Sequence, residues 1–159
     1  METEAKIKIG DSDVNHIVSL AGKLKFSKQE NIIYDLSNGF VRIRNENDKT
    51  IITFKGKRKK SKLNLREETE FLVDTEKDKM KKIFSFLGLK NAFEYEKLRA
   101  NFELNDCVVS VDLLPNNEKY VEIEGKRKNI LKNLEILGLS RRKIIKQAYQ
   151  EILKNEKNK

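Results

Sequence analysis

Polar and apolar residues alternate along many short stretches of this chain. Thr3, Ala5, Ile7 and Ile9 interleave with Glu2, Glu4, Lys6 and Lys8. Such a period of two marks a strand with unlike faces. Similar stretches lie at 31–36, 40–45, 50–56, 65–73, 93–103, 107–113 and 119–125. With 2–9 they make about eight predicted strands.

Between them the period lengthens to that of a helix. Val14, Ile17, Val18, Ala21 and Leu24 share one face of 12–24, with Asp11, Ser12 or Asp13 as candidate cap. Met80, Ile83, Phe84 and Leu87 do the same in 75–87, which Gly88 stops. Ile130, Leu131, Leu134 and Leu137 repeat the pattern in 127–137 before Gly138. A last helix is predicted from Ser140, carrying Ile144, Ile145, Ala148, Tyr149 and Ile152. Segments 75–89 and 127–139 both end Leu-Gly-Leu, which suggests a strand-strand-strand-helix unit used twice. With one proline and no linker-like stretch, 1–159 reads as one α+β domain.

The polar faces of these strands are formally charged. Arg42 and Arg44 flank Ile43, Lys97 and Arg99 flank Leu98, and Glu122 and Glu124 flank Ile123. Lys55, the trio Arg66, Glu68 and Glu70, and Asp112 extend the pattern. Amphipathic helices can cover the apolar side. The charged side then faces either open water, as a sheet laced with ion pairs, or an enclosed wet space inside a curled sheet. Enclosing unpaired charge costs several kcal/mol per ion, and small barrels ordinarily fill with apolar side chains. A barrel lined with charge therefore needs a functional reason.

Composition sharpens this. Charged residues make up 37% of the 159 residues and the net charge is +9, which favours polyanionic partners. No apolar run is long enough to span a membrane, and the N-terminus does not read as a signal peptide. The lone Cys107 fits a reducing, cytoplasmic setting. The lysine runs at 57–62, 79–82 and 154–159 read as solvated surface.

Glu2 with Glu4, and Glu122 with Glu124, are carboxylate pairs spaced i, i+2, hard oxygen donors suited to Mg²⁺ or Mn²⁺. Lys6, Arg42, Arg44, Lys55, Lys97 and Arg99 bring cations to neighbouring strands, and arginine forks match phosphate oxygens. So many cations exceed the need of one phosphate and favour a phosphate chain. No Gly-x-x-x-x-Gly-Lys loop, zinc spacing or nucleophilic triad accompanies them. His16 reads as a surface or structural helix residue and Cys107 as strand packing.

In these residues the chain resembles the CYTH family, the triphosphate tunnel metalloenzymes. The N-terminal Glu-x-Glu-x-Lys signature is Glu2-Thr3-Glu4-Ala5-Lys6. Tyr34-Asp35, Val41-Arg42-Ile43-Arg44, Thr53-Phe54-Lys55-Gly56 and Arg66-Glu67-Glu68-Thr69-Glu70 follow in order. Lys97-Leu98-Arg99, Asp112 and Val121-Glu122-Ile123-Glu124 complete the strand motifs, and 137–140 with 148–153 resemble the closing segment. The resemblance implies a closed eight-stranded antiparallel barrel, with helices outside, that binds a triphosphate within. It implies divalent metal on Glu2, Glu4, Glu122 and Glu124 with Asp112, and triphosphate on Lys6, Arg42, Arg44, Lys55, Lys97 and Arg99. Arg66, Glu68 and Glu70 would line the tunnel; Lys8, on the same face, is a further lining residue and a candidate helper in catalysis. Phe102 stands where related sequences often carry tyrosine, and 115–120 lacks the usual Leu-Gly pair.

Two reactions suit that clamp: hydrolysis of an inorganic or organic triphosphate such as tripolyphosphate or ATP, and cyclisation of ATP to cyclic AMP with loss of pyrophosphate. No tryptophan is present to favour thiamine triphosphate. A non-catalytic polyanion or RNA-binding module is the other class, though the aromatics form no evident base-stacking platform, so nucleic acid is the less expected partner. A homodimer is compatible with the sequence.

Overall fold

A computed structural model describes residues 1–90 and 92–157. Its strands are β1 (Glu2–Ile9), β2 (Ser27–Leu36), β3 (Gly39–Glu46), β4 (Lys49–Gly56), β5 (Asn64–Arg66), β6 (Glu68–Val73), β7 (Phe93–Leu104), β8 (Cys107–Leu113) and β9 (Lys119–Gly125). Its helices are α1 (Asp11–Ala21), α2 (Lys77–Phe86), α3 (Arg127–Ile136) and α4 (Tyr149–Lys157). The class is α+β, as expected. No helix of the described residues is long and apolar enough to cross a membrane.

The strands form one antiparallel sheet in the order β5-β1-β9-β8-β7-β2-β3-β4-β6. The β3–β4 and β7–β8 hairpins turn on Asn47-Asp48 and Asn105-Asp106. All four residues have positive φ, between 46° and 61°, as a primed two-residue turn requires. At Gly39, with φ of 149°, a Cβ would lie 2.1 Å from the Lys55 carbonyl oxygen, so β3 and β4 meet there only because the side chain is missing.

The sheet is not the closed eight-stranded barrel anticipated. It has nine strands, because the segment read as one strand over 65–73 breaks at Glu67. Residues 64–66 pair with β1 and residues 68–73 with β4. A strongly twisted strand changing neighbours leaves a residue out of both ladders. Glu67 is that residue, and its carbonyl accepts the Gly56 N–H at 2.9 Å. The sheet thus keeps two hydrogen-bonding ends, yet it curls far enough that Lys55 of β4 meets Glu2 of β1 at 2.6 Å.

The alternation decides what each face meets. Outward residues of β1, β8 and β9, including Ile7, Val109, Val111 and Ile123, pack beneath α1 and α3 through Ile17, Ile130 and Leu134. Outward residues of β2, β3 and β4, including Ile32, Ile43 and Ile52, pack beneath α2 through Phe84. The helices α2 and α3 end alike. Gly88 and Gly138 take φ of 83° and 70°, and Leu89 and Leu139 donate back to Phe84 and Leu134 at 2.9 and 2.7 Å. The strands preceding them are not alike, since β5 and β6 have no counterpart before α3. The cap of α1 is Gly10, whose N–H donates to Asp13 Oδ2 at 2.9 Å, rather than residues 11–13.

The last helix begins at Tyr149, not Ser140. Tertiary bonds claim the intervening backbone: the Ile145 N–H donates to the Lys6 carbonyl at 2.8 Å, and the Ile145 carbonyl accepts from Asn64 Nδ2 at 3.0 Å. A strap over 140–148 therefore crosses β1 and delivers α4 into the curl of the sheet. There Tyr149 and Leu153 pack with Leu114, Tyr120 and Phe93.

Candidate active site

The inward rows of β1, β3, β4, β6, β7 and β9 converge on one cavity of about 420 Å³. It is walled by Glu2, Glu4 and Lys6 from β1, Arg42 and Arg44 from β3, Lys55 from β4, and Glu68 and Glu70 from β6. Tyr95, Lys97 and Arg99 from β7, Ser110 from β8, Glu122 and Glu124 from β9, Arg66 from β5, and Tyr149 and Gln150 of α4 complete it. Apolar contributions are few: Met1, Ile33, Phe40 and Ala148.

One part of this lining is fully paired. Asp112 is completely buried behind the cavity wall. Arg99 Nε donates to its Oδ1 at 2.7 Å, Lys97 Nζ lies 3.0 Å from Oδ1, and the Tyr149 hydroxyl donates to Oδ2 at 2.6 Å. Glu122 accepts from Arg99 and pairs with Lys6 at 3.1 Å. Burial alone would raise both acids, but Arg99 and Lys97 hold Asp112 below the usual carboxylate range, and Lys6 and Arg99 hold Glu122 well below it. Burial, followed by the charge of Arg99, pulls the Lys97 ammonium well below its ordinary value. The Tyr149 ring also sits 4.1 Å from Lys6 Nζ and 4.5 Å from Lys97 Nζ, a cation–π contact to each.

Elsewhere like charges crowd. Burial, then Glu122, raises Glu4; burial, then Glu2, raises Glu124. Burial also raises Glu2, even though Lys55 bonds it. Glu4 and Glu124 are cross-strand partners, and Glu4 accepts from Asn64 Nδ2 at 3.2 Å. On the basic side, burial followed by Arg42 and Arg99 lowers Arg44 to about 9, still a cation at neutral pH. Arg44 Nε has Asn31 Oδ1 at 3.3 Å as a neutral partner. Arg42 bonds Thr53 at 3.0 Å and Glu70 at 3.5 Å, while its buried Nε is without a protein acceptor among the described residues.

The structure thus gathers Glu2, Glu4, Glu122, Glu124 and all six predicted phosphate-binding cations around one cavity, with Arg66, Glu68 and Glu70 on its wall. Lys8 does not line it. β1 carries Lys8 past Tyr120, its cross-strand partner, to an exposed position where it pairs with Glu118. Asp112 lies behind the wall, on Lys97 and Arg99. As donors for a divalent metal, the four glutamates fit in kind: oxygen ligands, three of them raised by burial and mutual repulsion. No three acidic, histidine or cysteine residues among those described already converge as a cage. Asp112 fits less well, its oxygens being spent on two cations and a phenol.

Sequence reading missed Tyr95 and Tyr149. Tyr95 shares the parity of Lys97 and Arg99 and was legible on that ground; Tyr149 enters through the strap. His16 lies outside, near the Ile136 carbonyl, and Cys107 is buried in the outer core. Phe102 also packs against that outer core, away from the cavity.

Comparison with known proteins agrees with this arrangement. A protein of Methanocaldococcus jannaschii, described as a putative adenylate cyclase, is 29% identical, covering 96% of this chain and 98% of its own. A conserved hypothetical protein of Pyrococcus furiosus has a similar structure, with a TM-score of 0.82 at 23% identity over 95% of this chain and 99% of that one. So has a Vibrio parahaemolyticus protein described as a putative adenylate cyclase, with a TM-score of 0.76 at 15% identity, covering 96% and 97%. The model of the CYTH domain matches residues 1–150, and the chain belongs to the CYTH domain family.

Proposed function

We propose that the protein is a divalent-metal-dependent enzyme that holds a triphosphate chain in this cavity and hydrolyses it. The observation that carries the proposal is the convergence of Lys6, Arg42, Arg44, Lys55, Lys97 and Arg99 with four glutamates on one small cavity whose lining is mostly charged. In this reading Arg42 and Arg44 fork onto phosphate oxygens, satisfying guanidinium groups that burial and their own repulsion leave short of acceptors. Lys55 and Lys6 exchange their bonds to Glu2 and Glu122 for phosphate oxygens. Glu2, Glu4, Glu122 and Glu124 would hold Mg²⁺ or Mn²⁺, which when bound supplies charge neutralisation and Lewis acidity toward phosphoryl oxygen. Asp112 and Tyr149 position Lys97 and Arg99 from behind, and α4 excludes water from one end of the curl. Catalysis here rests on orientation and fixed charge.

Cyclisation of ATP is the second reading, favoured by the description of the Methanocaldococcus relative. Phosphorus NMR of the protein with tripolyphosphate or ATP, and Mg²⁺ or Mn²⁺, separates the two. Orthophosphate without cyclic AMP supports hydrolysis, and cyclic AMP with pyrophosphate supports cyclisation. Release of neither phosphate nor pyrophosphate from either substrate would sink both.

A further inference from the structure

Tyr95, Tyr120 and Tyr149 gather at the α4 end of the curl. Two of them spend their hydroxyls on protein: Tyr149 donates to Asp112 and Tyr120 to Glu118, each at 2.6 Å. The Tyr95 hydroxyl donates to no residue among those described, although Tyr95 lines the cavity. Its ring is held in place. It packs against the cluster of Tyr120, Tyr149 and Leu153, with the Phe93 ring 6.1 Å away. The neighbouring acceptors are already taken. Asn31, its cross-strand partner, accepts from Arg44 Nε at 3.3 Å, and Asp112 is enclosed by Lys97, Arg99 and Tyr149.

The charges that act on this phenol are chiefly cationic. Burial raises it above its ordinary value, against the pull of Arg42, Arg44 and Lys6. At neutral pH it keeps its proton and is a donor. Arg42 is short of an acceptor as well, its Nε being buried without one among the described residues. Donors therefore outnumber acceptors at one spot on the wall, where Arg42, Arg44 and Tyr95 meet.

We propose that Tyr95 is a substrate-binding residue, whose hydroxyl donates to a non-bridging oxygen of the phosphate held by Arg42 and Arg44. The proposal rests on the reading of the cavity as a triphosphate site. A phosphate group offers the acceptors that this spot lacks. A phenol also adds a donor without adding charge, where a further cation would repel the two arginines. Tyr95 and Tyr149 thus have opposite tasks: Tyr149 serves the resting protein, and Tyr95 has its partner only when substrate is bound.

Calorimetric titration of the full chain with diimidotriphosphate, whose bridging nitrogens resist hydrolysis, tests this in the presence of Mg²⁺. Tyr95→Phe keeps the ring and removes the donor. It should weaken binding at least about tenfold and leave the urea midpoint unchanged. Tyr34→Phe, in the outer core, should bind as the parent does. A parent that binds and a Tyr95→Phe variant that binds equally well would overturn this inference and leave the reading of the cavity standing. So would a loss of affinity that comes only with a lowered urea midpoint, or one that Tyr34→Phe shares. A parent that does not bind the analogue would remove that reading and this inference together.

Discussion

The Asp112 cluster and the rows around it share one cavity but are built on opposite terms. Around Asp112 every charge has an opposite partner at bonding distance: Arg99, Lys97 and Tyr149 on the acid, and Lys6 and Arg99 on Glu122. The pair Glu4 and Glu124 and the pair Arg42 and Arg44 instead face like charge, with neutral or distant partners. The first region is complete as it stands and acts as a fixed platform. The second is short of counter-charge and is where a ligand would gain most.

Four substitutions break or sharpen that contrast. The largest effect falls on the platform: Asp112→Ala strands Lys97, Arg99 and the Tyr149 hydroxyl in a buried site. It should cost about 3–5 kcal/mol of stability, read by urea denaturation. Arg44→Ala should barely lower stability, because it relieves repulsion with Arg42 and Arg99. It should still reduce kcat/KM for tripolyphosphate by about 100-fold, roughly 3 kcal/mol of transition-state stabilisation. A smaller loss awaits Tyr149→Phe, which keeps the ring against Lys6 and Lys97 but removes the donor to Asp112. About 1.5–3 kcal/mol is expected, by the same denaturation experiment.

The smallest change has the opposite sign. Glu2, Glu4 and Glu124 have folded pKa values above the ordinary 4.5. The folded chain therefore holds more protons than the unfolded one between 4.5 and those raised values. Their contribution to stability is full below 4.5 and is lost as pH rises through the raised values. Asp112 and Glu122 act oppositely, contributing above the usual carboxylate range and losing that contribution as pH falls below it. Glu4→Gln should thus raise stability near neutrality and flatten its fall above pH 4.5. Thermal melts against pH would check both. A variant less stable than the parent at neutral pH would show Glu4 to be paired after all.

The charged rows were legible because a period of two survives any detail of packing. Arg42 and Arg44, or Lys97 and Arg99, must share a face wherever the strand lies. The break at Glu67 was not, since Arg66, Glu68 and Glu70 keep their parity straight through it. Sequence alone does not say that one strand serves two neighbours. Lys8 kept its parity too, but parity gives the face and not the depth at which a strand leaves a cavity. The strap over 140–148 was hidden for another reason. Its apolar spacing is helical, and the bonds that hold it open, such as Ile145 to Lys6, join residues far apart in the chain. The outer core was plain in Ile130, Leu134 and Leu137, whereas the same spacing in α2 gave no hint that Ile83 and Leu87 would stay outside.

The pairing of β1 with β9 has a consequence for synthesis. Residues 2–9 leave the ribosome ahead of the other strands of this sheet, yet their register partners on one side, 119–124, come more than a hundred residues later. Contacts of such sequence separation form slowly. During that wait β1 has only the three-residue β5 to lie against. Its alternating glutamates and lysines, read above as binding groups, also serve an unfinished chain. A strand with charge at every second position is a poor template for aggregation, so the strand that precedes the rest of its sheet can afford to be among the last to be enclosed.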